Sequence, residues 1–210
     1  SLSLIAGVSF VGSNIVRLSG FSANNIDWLK YQNPIIGISF ISAALYPLAL
    51  YSLLNHMILK SIAVAIASVG FIHGIGLLKS LRARIRLLKE KADLNFDKKL
   101  LFIISCLIFG YFLFSIGPTT NADSIDYHIG IAISIINNSG ITITPEWFHS
   151  RLAGSGEVLN ALGLIIGAEQ FGPLMQFFGL ISITSIIYFI KDNVSEEDKS
   201  WKLTLVLALL

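Results

Sequence analysis

Long apolar runs separated by short polar stretches dominate the chain. Six stand out: roughly 1–18, 34–54, 57–78, 100–117, 171–190 and a last one beginning near 201. The complete ones have close to the ~20 residues that a spanning helix needs. None alternates with a period of two, and only helices or closed barrels satisfy the backbone in lipid, so the runs predict helices. The second run opens at Pro34, which suits a first helical turn. The fourth ends at Gly117-Pro118, and the fifth carries Pro173 in its first turn. The stretch from Leu152 to Ile190 is too long for one span. It holds Gly154, Gly156, Gly163, Gly167 and Gly172, with Glu157 and Glu169 among them. This predicts a short helix over about 155–167 in or near the interface, a break, and then a spanning helix.

The polar positions sort as well. From Thr120 to Asn138 a helical projection places Ile125, Ile129, Ala132, Ile133 and Ile136 on one face. Asp123, Asp126, Tyr127, Gly130, Ser134, Asn137 and Asn138 share the other. Thr120 and Asp123 have the spacing of a helix start. An amphipathic helix over 122–138, lying on a membrane surface, follows. The predicted fold class is all-α: a polytopic transmembrane helix bundle of about six membrane segments, with that amphipathic interfacial helix in an outer loop.

Composition removes the soluble alternative. The 210 residues are 54% hydrophobic and 13% charged, with a mean hydropathy of +0.73. Soluble domains carry about 25% charged residues. The net charge of +2 says little, because the charges are segregated. Residues 79–99 hold eight Lys/Arg (Lys79, Arg82, Arg84, Arg86, Lys89, Lys91, Lys98, Lys99) against three Asp/Glu, which places this segment in the cytoplasm. Alternation then puts 118–153 outside, and 17–33 and 191–200 inside. The basic segment reads as a loop with a short helical extension; an interfacial helix that binds anionic headgroups is the sharper alternative. The single cysteine, Cys106, excludes an internal disulfide. The chain opens on Ser1 without a signal peptide and stops inside an apolar run, so it reads as a fragment cut at both ends. Residues 1–99 form an N-terminal set of helices with the basic loop; 100–210 begin a second unit that continues beyond 210.

The candidate chemistry lies in the outer loop. Asp123, Asp126, Tyr127 and His128 fall within six residues, where charge is costly and marks function. Asp123, Asp126 and Tyr127 stand at i, i+3 and i+4, so the two carboxylates are able to share a divalent cation such as Mg or Mn, or one serves as base while the other tunes it. First-turn capping is the plainer explanation for Asp123. His128 falls toward the edge of the apolar face. A second cluster follows in Glu146-Trp-Phe-His-Ser-Arg151. Trp147 and Phe148 fit interfacial anchors, and His149 and Arg151 fit a phosphate, Arg as a bidentate donor. Glu157, among glycines, is either a dipole partner at a helix start or part of a cavity. No nucleic-acid patch, zinc spacing or Gly-rich phosphate loop occurs.

A spanning helix, then Pro118-Thr-Thr-Asn-Ala-Asp-Ser-Ile-Asp-Tyr-His128, then Gly156-Glu-Val-Leu-Asn-Ala-Leu-Gly-Leu-Ile-Ile-Gly-Ala-Glu-Gln-Phe171 leading into a new span, resembles the start of GT-C-type integral membrane glycosyltransferases. More closely it resembles a bacterial branch of uncharacterised polytopic proteins of that type. The resemblance covers about residues 100–190. It implies an essential acid at the end of the first core helix, at Asp123 or Asp126, acting on a sugar carried by a polyprenyl phosphate at the outer face of the bacterial inner membrane. The implied partners are the bilayer and the lipid-linked donor. Tyr127, His128, His149, Arg151 and Glu157 are the expected substrate-binding residues. A non-enzymatic transporter or assembly component, or an O-antigen-type polymerase, for lipid-linked glycans is the alternative. A transporter would want acids at mid-membrane, whereas the acids here cluster at one face.

Overall fold

The computed structural model describes residues 1–20, 29–90 and 98–190, with side chains over 1–20, 32–76 and 102–184. Among the described residues the architecture is helical throughout. The order is α1 (Leu2–Leu18), α2 (Leu29–Leu50), α3 (His56–Glu90) and α4 (Lys98–Ile116), then a π turn (Ser124–Ile129) continuing into α5 (Gly130–Asn138). A 3-10 turn (Phe148–Leu152), α6 (Ser155–Leu164) and α7 (Phe171–Ile190) follow.

The apolar runs become helices, with informative differences at their ends. α2 starts at Leu29, so Pro34 lies in its second turn, not its first. It stops at Leu50, just past Pro47, and Ser52 turns the chain with φ 54°. α3 does not end before the basic residues; its backbone continues to Glu90, so Lys79–Lys89 ride on an extension of the apolar helix. The break between α6 and α7 falls at Gly167, whose φ of 71° suits a residue without a Cβ. The run expected from 201 lies outside the described residues.

α1 packs against both α2 and α3; α7 packs against α2 and α4. The first three helices approach backbone to backbone. A Cβ on Gly37 would collide with the carbonyl of Val8, and one on Gly70 with the carbonyl of Ser3. Small residues are what let helix backbones touch where lipid supplies no hydrophobic drive between helices.

Among the described residues two helices are long and apolar enough to cross a bilayer, Gln32–Leu50 and His56–Gly76, with only 22% and 17% of their apolar windows buried. Leu2–Leu18, Phe102–Ile116 and Phe171–Thr184 are apolar but shorter. Phe71, Phe102, Phe109 and Phe114 also point outward.

The packed core sits at one end of this bundle. Leu4, Ile5 and Val8 of α1, Leu45 and Ala49 of α2, and Leu59 and Ala63 of α3 meet Ile131 and Ile135 of α5, Val158 and Leu162 of α6, and Phe171 of α7. Two backbone bonds fasten the α2–α3 turn to the chain after α5: Leu54 N–H donates to Ser139 O at 2.9 Å, and Ile141 N–H to Ala49 O at 2.9 Å. The α2–α3 turn, α5, α6 and the start of α7 therefore share one end of the bundle, and the candidate site lies there.

Candidate functional site

The amphipathic helix is continuous over 122–138, but its start and its phase differ from the simple projection. Asn121, not Thr120, caps it: Asn121 Oδ1 accepts from Asp123 N–H at 2.9 Å, and Asn121 O accepts from Ile125 N–H at 3.0 Å. Over Ser124–Ile129 the helix widens into a π turn, with Gly130 N–H reaching back to Ile125 O. Such a turn inserts one residue and shifts everything after it. The buried stripe is accordingly Ile131, Ala132 and Ile135, while Ile125 and Ile133 of the expected apolar face are exposed.

The π turn fans three consecutive side chains onto three partners in the 148–157 segment. Asp126 Oδ2 lies 2.6 Å from His149 Nδ1. Tyr127 Oη donates to Leu152 O at 3.0 Å. His128 Nδ1 lies 2.9 Å from Glu157 Oε1. The Tyr127 ring stands between the imidazoles, with centroids 4.4 Å from His128 and 5.8 Å from His149. The two pairs differ in burial. The Glu157 side chain is 6% exposed, whereas Asp126 is 57% exposed and His149 36%. The second oxygen of Glu157 accepts the N–H of Gly154 at 2.8 Å, closing the first turn of α6. Burial, and then the nearby negative charge of Glu157, push the Tyr127 phenol above its ordinary value.

The carrier of His149 is held rigidly. Ser150, 2% exposed, accepts from Thr144 N–H at 2.9 Å, and its hydroxyl lies 3.0 Å from Thr144 O and 2.7 Å from Trp147 O. Trp147 is half-buried against the core and lies beside the bare Cα of Gly130; Phe148 stays exposed. Ser150 was not legible as a site residue, because a lone serine between His and Arg has no signature. The carbonyl of Leu152 carries no side-chain signal at all.

Of the seven expected site residues, Asp126, Tyr127, His128, His149 and Glu157 converge. Asp123 and Arg151 are exposed. Among the described residues no group of three or more His, Cys, Asp or Glu side chains is assembled to hold a metal. Asp126 already spends one oxygen on His149. The donor set does not fit a resident divalent cation.

In each pair Nδ1 of the imidazole faces a carboxylate. That contact fixes the ring orientation and leaves Nε2 as the nitrogen able to act on a ligand. The arrangement offers two oriented imidazoles and a phenol at one end of an apolar bundle, with the exposed Arg151 two residues beyond His149 in the chain. This chemistry suits proton transfer and anion binding.

No curated protein and no solved structure matches the chain. Residues 1–102 and 80–210 match the model of the DUF1420 N-terminal domain, so between them the two matches span the whole chain, and it belongs to the DUF1420 family.

Proposed function

We propose that the chain belongs to a membrane glycosyltransferase that moves a sugar from a polyprenyl-phosphate donor to an acceptor hydroxyl at the outer face of a bacterial inner membrane. In this reading α1–α4, α7 and the run from 201 cross the bilayer, and the basic stretch of α3 faces the cytoplasm. The observation that carries it is the exposed Asp126–His149 pair, 2.6 Å apart, on the helix and loop that come after α4, with Arg151 two residues beyond His149 in the chain. A transfer of this type needs a base at the acceptor and a cationic group at the leaving phosphate.

The acceptor oxygen attacks the anomeric carbon as the bond from that carbon to the phosphate oxygen breaks. The electron pair leaves with the polyprenyl phosphate, the acceptor proton passes to the base, and one displacement inverts the sugar carbon. Arg151 serves the phosphate as a bidentate donor. His128, held by buried Glu157, lines the same site, and Tyr127 separates the two imidazoles. The acids stand at one end of the bundle instead of along its middle, which favours surface chemistry over a transport pathway.

Full-length protein in liposomes, supplied with radiolabelled polyprenyl-phosphate sugar and envelope glycan acceptors, tests this. Label should leave the lipid and appear in glycan. A donor that stays intact with every acceptor would contradict the reading.

A further inference from the structure

We infer that the proton acceptor of the site is Nε2 of His149, with Asp126 as its positioning residue; the inference rests on the transferase reading above. Asp126 Oδ2 takes the Nδ1 side of the ring at 2.6 Å. The neutral tautomer selected by that contact carries its proton on Nδ1 and a lone pair on Nε2. Asp126 spends Oδ2 on this contact, so that oxygen is not free to take an acceptor proton. An imidazole also titrates nearer neutrality than a carboxylate, which is where a general base works best.

The second pair is built for a different task. Glu157 is buried, and both of its oxygens are engaged, one by His128 and one by the Gly154 N–H that starts α6. It is a strut between the outer helix and α6. His149 and Asp126 are both open to a substrate, and Ser150 knits the segment that carries His149 with three short contacts. In the step, Nε2 takes the acceptor proton as the new carbon–oxygen bond forms and the phosphate leaves. The imidazolium, steadied by Asp126, then returns that proton to water.

Steady-state transfer kinetics of the full-length protein decide it, because two substitutions separate the ring nitrogens. His149→Asn keeps an N–H toward Asp126 but has nothing at Nε2. It should lower kcat about 10²–10⁴-fold with KM little changed. Asp126→Asn should lower kcat by favouring the wrong tautomer, and the double variant should be no worse than the poorer single one, because the two residues act as a unit. Wild-type turnover by His149→Asn would overturn the inference, whereas a dead Asp126→Asn beside it would leave the carboxylate as base and the transferase reading intact. ¹⁵N-histidine spectra give a readout independent of turnover. His149 should be protonated at Nδ1 in the wild type and shift toward Nε2 in Asp126→Asn. An Nε2-protonated wild-type ring would overturn the inference whatever the enzyme transfers, and a wild type that transfers no sugar would overturn both readings.

Discussion

Glu157 and His128 are joined at 2.9 Å across the gap between α6 and the helix over 122–138, and the other oxygen of Glu157 holds the N–H of Gly154 at 2.8 Å. One buried carboxylate therefore fixes both the start of α6 and the end of the π turn. Glu157→Ala leaves the half-buried Gly154 N–H and the partly exposed His128 imidazole without their partner. The expected loss is about 1–3 kcal/mol, read as a lower melting temperature of the purified full chain. Glu157→Gln should lose less, because its amide still reaches one partner. An alanine variant that melts like the wild type would remove the strut from the account.

Tyr127 offers a titration with a defined sign. Burial, and then Glu157, raise its phenol in the folded protein. A raised folded value means a stabilising contribution that is fully present below the unfolded value of about 10 and is lost as pH rises through the folded one. The phenol therefore stays a neutral donor to Leu152 O across the whole neutral range. Ultraviolet difference titration of wild type against Tyr127→Phe should assign Tyr127 a midpoint above the ordinary range. Glu157→Gln should lower that midpoint without restoring it fully, because burial remains. A midpoint at or below the ordinary value would contradict the placement.

The contact of α1 with α3 depends on a missing side chain. A Cβ at Gly70 meets the backbone carbonyl of Ser3, which cannot rotate away as a side-chain tip can. Gly70→Ala should cost about 1–3 kcal/mol by overpacking. Gly76 has nothing within 4 Å of an added Cβ. Gly76→Ala should be neutral or stabilising by up to about 1 kcal/mol, since alanine is the better helix former. Thermal melts of the two variants that coincide would contradict this packing.

Orientation is testable by labelling in cells. Native Cys106 is exposed and must first be replaced by serine. An impermeant thiol reagent should then label Asn137→Cys from outside and leave Lys89→Cys protected. The reverse pattern would place the site in the cytoplasm and remove the lipid-linked donor from consideration.

Much of this architecture was legible in the sequence, because apolar runs and glycine breaks act locally. The extent of the outer helix, the break near Gly167 and the start of α7 at Phe171 were all readable that way. The phase of the outer helix was not. A projection assumes a uniform turn, and the π turn at Ser124–Ile129 adds a residue that no propensity announces. For the same reason His128, placed at the edge of an apolar face, turns toward Glu157. The joining of Asp126 to His149 was also hidden, since the 23-residue separation is closed by tertiary packing and by Ser150. The continuation of α3 to Glu90 overrides a charge pattern that reads as a loop, because lysine and arginine are good helix formers.

The most direct measurement of the central claim is sugar transfer from labelled polyprenyl-phosphate donor by full-length Asp126→Asn, beside wild type and Arg151→Lys, at matched amounts of folded protein in the membrane. The account predicts transfer by the wild type and a loss of about 10²–10⁴-fold in Asp126→Asn, with no loss of folded protein. Arg151→Lys should use the donor less well, because lysine cannot make the paired contact to a phosphate. Transfer by Asp126→Asn at the wild-type rate would contradict the claim and leave Asp126 with a structural role alone.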